Sequence, residues 1–188
     1  MGNIDQIIGT LTLDEKVSLL SGFNSWYTSK IEKKNIPSIK MSDGPNGVRG
    51  DSNSGKSSAC FPCAISIGST WDLELINDIG IALGEEAQAK DVDVLLGPTI
   101  NIHRHPLGGR HFESFSEDPF LTGKIATNYV QGVQSKNVAA CLKLCFRCMA
   151  TGWGQVVENG TLQGKLHQVR EVFIKRRKVR IYPYSGDT

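Results

Sequence analysis

No apolar run in this 188-residue sequence approaches the ~20 residues that a membrane helix needs, so a membrane partner is not expected. The opening residues, MGNIDQ, lack a basic region followed by an apolar stretch, and no secretory signal is expected. Gln6 stands where N-myristoylation of Gly2 would require Ser or Thr. Together these absences point to the cytoplasm, a reducing compartment in which the five cysteines are free thiols. Charge of one sign is scarce. A net +2 is too small to imply a nucleic-acid partner. There is also no internal repeat of fixed period. The 39% hydrophobic and 21% charged residues exclude a disordered chain, and the length suits one domain or one domain with a tail.

The charge that is present is unevenly placed. Residues 1–143 carry 13 Lys and Arg against 16 Asp and Glu, whereas residues 144–188 carry 8 against 3. That change of sign divides the sequence into an N-terminal segment, 1–143, and an unlike basic tail, 144–188.

Within 1–143 the element signals alternate. Thr12 and Glu15 form a capping box, Leu13, Val17 and Leu20 follow at helical spacing, and Gly22 is a stop. A short strand over 38–42 ends in DGPNG at 43–47, where Gly, Pro and Asn mark a sharp loop. Residues 51–59 are polar and Gly/Ser-rich and read as a surface loop. A second helix, capped by Thr70 or Asp72, carries Leu75, Ile79, Ala82, Leu83 and Ala87 on one face. A buried strand over 92–96 is broken by Gly97-Pro98, and a long loop rich in His, Gly and Arg follows over 99–118. Pro119 after Asp118 opens a third helix containing Ile125, Tyr129, Val130 and Val133. A strand over 138–143 follows. Alternating strands and helices predict an α/β fold with a parallel sheet, whose ligands gather beyond the strand ends.

Charge lies at or beyond those ends in three places: Asp43 with Arg49, Arg110 in the long loop, and Lys143. A carboxylate accepts from neighbouring hydroxyls while guanidinium and ammonium groups donate, a combination that suits a polyhydroxylated ligand. Loop salt bridges are the alternative reading of the same residues.

Several strings, in order and with consistent spacing, resemble glycoside hydrolase family 3, which contains many β-glucosidases. They are LTLDEKVSLLSG at 11–22, SDGPNGVRG at 42–50, FP at 61–62, TWD at 70–72, LGPTINIHR at 96–104 and PLGGRHFESFSEDP at 106–119. The resemblance covers residues 7–143. It implies an incomplete (β/α)8 TIM-like barrel with an irregular C-terminal tail. It also implies hydrolysis of O-glycosidic bonds of β-glucosides or oligosaccharides, in carbohydrate metabolism, without metal or organic cofactor. By the same resemblance Asp43 binds hydroxyls of the glucose preceding the cleaved bond. Arg49 and Arg110 line that pocket, and Lys143 is the first residue of a sugar-holding Lys-His pair.

The departures from the family begin after Lys143. Leu144-Cys145-Phe146 stands where the family has His-Phe-Val, and a two-base deletion in codons for His-Phe-Val would give that sequence. A frameshift is therefore a hypothesis, tested by reading the coding DNA in all three frames. The family nucleophile is the Asp of a Ser-Asp-Trp motif, which does not occur in these 188 residues; the acid/base carboxylate is also without a candidate. Retaining hydrolysis needs two carboxyl groups about 5–5.5 Å apart, so no catalytic residue is assigned and the chain is expected to be catalytically deficient. Glu113 and Glu117 are read as structural.

Three other readings compete. Cys60 and Cys63 with Cys145 and Cys148 make two C-x-x-C pairs, but their separation is far longer than in a zinc ribbon, and Cys63 reads as a small buried hydrophobe. His103 and His105 read as loop or pocket-wall histidines. The basic run 175–180 has no accompanying aromatic platform for nucleic acid. A non-catalytic sugar-binding fragment needs a stable fold, and the open edges of a partial sheet favour aggregation.

Overall fold

A computed structural model describes residues 4–50 and 56–143. The Gly2 site, most of the polar loop, the basic tail with its 175–180 run, and Leu144, Cys145 and Cys148 lie outside the described residues.

The fold is mixed α/β. Two short helices, α1 (Ile4–Thr10) and α2 (Leu13–Ser21), precede the first strand, β1 (Met41–Asp43). Then come α3 (Ala64–Gly68), α4 (Leu73–Ala89), β2 (Val94–Leu96), α5 (Pro119–Ser135) and β3 (Ala139–Ala140). The strands form one parallel sheet in the order β1-β2-β3, with Asp43 in register with Leu96 and Val94 with Ala139. The helix between each pair of strands provides the crossover that a parallel connection requires.

Local chemistry explains several boundaries. The Thr12 hydroxyl accepts from the Glu15 N–H while the Glu15 carboxylate accepts from the Thr12 N–H, which starts α2; Gly22 ends it. Asp72, not Thr70, caps α4 by accepting from the N–H groups of Glu74 and Leu75. Asp118 caps α5, with Pro119 in the first turn.

The core lies between α4, α5 and the sheet. α4 contributes Ile76, Ile79, Leu83 and Ala87, and α5 contributes Ile125, Ala126, Tyr129, Val130 and Val133. The two helices cross at backbone distance through Gly80 and Gly132. A Cβ on Gly132 would lie 2.3 Å from the Asn77 carbonyl oxygen, and one on Gly80 2.5 Å from that of Tyr129.

Three expectations are corrected. Leu75 is exposed and Ile76 is buried instead. At 100° per residue the buried stripe centres on Ile76, Leu83 and Ala87, which puts Leu75 outside it. Leu13, Val17 and Leu20 keep their helical spacing but face outward, and neither α1 nor α2 buries a residue. The strands are shorter than read. Pairing between β2 and β3 runs through Cys141 N–H to Leu95 O, is interrupted by Gly97-Pro98, and resumes with Lys143 N–H to Pro98 O. Proline has no N–H to continue the ladder. Cys63 is half-buried rather than buried.

Candidate functional site

The described carboxyl ends of the strands carry the site. Asp43 is the last residue of β1, and the chain turns back at once through Gly44. Gly44 has φ 131°, and a Cβ there would sit 1.7 Å from the Gly47 carbonyl oxygen, so only glycine allows this turn. The turn is then tied down. Arg49 N–H donates to Asp43 O at 3.0 Å, Gly50 N–H donates to Ser42 Oγ at 2.9 Å, and Tyr129 Oη of α5 donates to Pro45 O at 2.8 Å. Tyr129 is almost wholly buried, and that burial pushes its phenol pKa upward, so it stays a neutral donor.

The long loop after β2 brings Arg110 over this turn. A short 3-10 segment, His111–Glu113, folds Glu113 back onto it. Arg110 Nε donates to Glu113 Oε1 at 2.6 Å and Nη2 to Glu113 Oε2, a two-pronged pair that fixes the guanidinium plane. Thr99 bridges to Ser114 on one side and to Lys143 on the other. That pairing carries Lys143 to the β1 end, where its Nζ lies 2.5 Å from Asp43 Oδ1.

Asp43, Arg49, Arg110 and Lys143 therefore line a single open pocket of about 350 Å3, together with Gly44 to Gly47, Ser58 to Cys60, Phe112 and Glu113. The sequence placed all four at strand ends; the structure places them around one space. Glu113 fits its structural reading in holding Arg110, yet it also lines the pocket, whereas the exposed Glu117 does not. Phe112 was not singled out. Its ring is half exposed and gives an apolar wall beside the charged groups, the mixture typical of small-ligand sites.

The site alternates acceptors and donors: two carboxylates, each paired with a cation, and the exposed Arg49 between them and solvent. Such a set offers both acceptors and donors to a hydroxyl-bearing ligand. The three described histidines are occupied elsewhere. His103 Nε2 is 3.0 Å from Ser114 O, His111 Nε2 contacts His105 O, and His105 Nδ1 accepts from Leu107 N–H. Among the described residues no cluster of three His, Cys, Asp or Glu side chains is placed to hold a metal ion. No described helix is long and apolar enough to cross a membrane.

A family model described as the glycosyl hydrolase family 3 N terminal domain matches residues 3–183. The chain is 54% identical over 142 residues to a probable beta-glucosidase I of Emericella nidulans, covering 75% of this chain and 17% of that protein. A beta-glucosidase of Rhizobium radiobacter is also 54% identical over 142 residues, 74% of this chain and 17% of that one. In structure the chain is similar to the beta-glucosidase of Kluyveromyces marxianus in complex with glucose. The TM-score is 0.70 and the identity 46%, over 74% of this chain and 17% of that one. It is also similar to beta-glucosidase 3B of Thermotoga neapolitana in complex with alpha-D-glucose, with TM-score 0.68 and 38% identity over 76% and 23% of the two chains. The chain thus spans about a sixth of the length of the curated relatives it matches.

Proposed function

Since the chain belongs to glycosyl hydrolase family 3, we propose that its pocket holds the glucose unit of a β-glucoside, with Asp43, Arg49, Arg110 and Lys143 as the sugar-contacting residues. The observation that carries this reading is the convergence of those four side chains, from three separate strand ends, on one pocket. The bound glucose of two similar structures supports the ligand class. Lys143 holds the Asp43 carboxylate in place, which leaves its second oxygen to accept from a sugar hydroxyl. Arg110, braced by Glu113, presents donors in a fixed plane.

In this reading β1, β2 and β3 are the opening strands of a (β/α)8 barrel, and the 188 residues alone bind sugar without cleaving it. Binding groups of this kind orient a substrate and favour an oxocarbenium-like transition state, but bond cleavage still requires a nucleophile and an acid.

Glucose titration of the 188-residue chain, followed by NMR shifts or calorimetry, tests the proposal. Asp43→Asn removes a charged acceptor worth ~1.5 kcal/mol, so affinity falls about tenfold, while Glu117→Gln leaves it unchanged. Equal affinity in the Asp43→Asn chain would refute the assignment.

A further inference from the structure

We propose that Glu86 and Lys90, one turn apart at the end of α4, are positioning residues for the pocket: they tie Val48 to Ser58 and Ala59 and so hold Arg49, Ser58, Ala59 and Cys60 on its wall. The functional consequence rests on the sugar-binding reading above; the geometry does not.

The pair is buried, with Lys90 3% and Glu86 16% exposed at the side chain. Lys90 Nζ has three acceptors for its three protons: Val48 O at 2.5 Å, Ser58 Oγ at 2.5 Å and Glu86 Oε1 at 3.2 Å. Glu86 uses both oxygens. Oε2 accepts from Val48 N–H at 2.9 Å and Oε1 from Ala59 N–H at 2.6 Å. Ser58 Oγ passes its own proton to Val48 O at 2.7 Å. The aliphatic stem of Lys90 runs beneath Gly50, where φ is +62° and a Cβ would stand 3.0 Å from Lys90 Cδ.

Val48 on one side and Ser58 and Ala59 on the other are thus bonded to the same two side chains, and among the described residues the side-chain bonds made outside the pair all go to these three. Burying two charges costs free energy unless every donor and acceptor is met. Here Val48, Ser58 and Ala59 meet them, so the pair sets where these residues stand relative to each other. Residues 49 and 58–60, next to or among them, line the pocket wall.

The test uses the full chain carrying Glu86→Gln or Lys90→Met. It reads amide hydrogen exchange at Val48 and Ala59, with Ile79 and Val130 as core references, together with glucose titration. Loss of the charged acceptor or donor is expected to speed exchange at Val48 and Ala59 by about tenfold. The core amides stay protected and glucose affinity falls severalfold; Lys90→Arg restores part of both. Unchanged exchange at the two amides overturns the proposal, as does faster exchange with parental glucose affinity. If Lys90→Met loses core protection as well, Glu86→Gln decides. A parent chain that binds no glucose refutes the functional reading, and loop exchange then decides the clamp by itself.

Discussion

Tyr129 joins the hydrophobic core to the pocket through one hydroxyl. Its ring packs beside Phe115, with centroids 6.4 Å apart, and its hydroxyl donates to Pro45 O. Tyr129→Phe keeps the packing and leaves that carbonyl without its donor, so denaturant melts should show a loss of about 1 kcal/mol. The upward pKa shift gives a second expectation. Above about pH 10 the unfolded chain releases a phenolic proton that the folded chain keeps. The unfolded state then binds fewer protons and stability falls as pH rises. Urea melts between pH 9 and 11 should show that decline, and Tyr129→Phe should flatten it. A decline of equal slope in the variant would remove Tyr129 as its source. At this scale the sequence was informative where motif and strand end coincide, as at Asp43 and Lys143. Glu86 and Lys90 carried no such signal. An acidic and a basic residue one turn apart on a helix ordinarily mark a solvated face, and here Val48, Ser58 and Ala59 bond to them instead.

Among the elements, α4 and α5 depend on how closely they approach. Gly132→Ala forces a methyl to 2.3 Å from a backbone oxygen of the facing helix and should destabilise by about 1–3 kcal/mol. Gly123, on the same α5, has nothing within 4 Å of an added Cβ; Gly123→Ala should stabilise by ~0.5–1 kcal/mol through helix propensity. Paired denaturant melts check the opposite signs. Elements with a chemical start signal were legible: the capping box of α2, and Asp118-Pro119 of α5. α1 and α3 were not, being 7 and 5 residues long, α3 also lacking a side-chain cap at Cys63. The direction of the α2 face was not legible either. Spacing states that an apolar stripe exists, not that anything covers it, and Leu13, Val17 and Leu20 stand exposed. The end of β2 at Gly97-Pro98 was legible, but its effect on the neighbour was not: the missing N–H interrupts the pairing of the 138–143 strand and leaves β3 two residues long.

For the molecule as a whole, exposed apolar surface is the dominant property of the N-terminal helices. Ile4, Ile8, Leu13, Val17, Leu20 and Phe23 all face solvent, an arrangement that favours association. Sedimentation velocity on the 188-residue chain should show oligomers growing with concentration, and Leu13→Gln with Val17→Gln should reduce them. A single monomeric species at high concentration would contradict this. Turnover belongs to the same scale: the purified chain should hydrolyse an aryl β-glucoside no faster than a contaminant control, because no pair of carboxylates is assigned to the two steps of retention.

The double attachment of the β1 turn has a further consequence. Pro45 is bonded to α5 through Tyr129, Val48 to α4 through Glu86 and Lys90, and the two helices meet at glycine-permitted distance. The turn cannot open without pulling on the contact that holds the core together. Opening of the turn is therefore coupled to loosening of the core, and a substitution that stiffens the helix pair is expected to slow amide exchange in the turn as well.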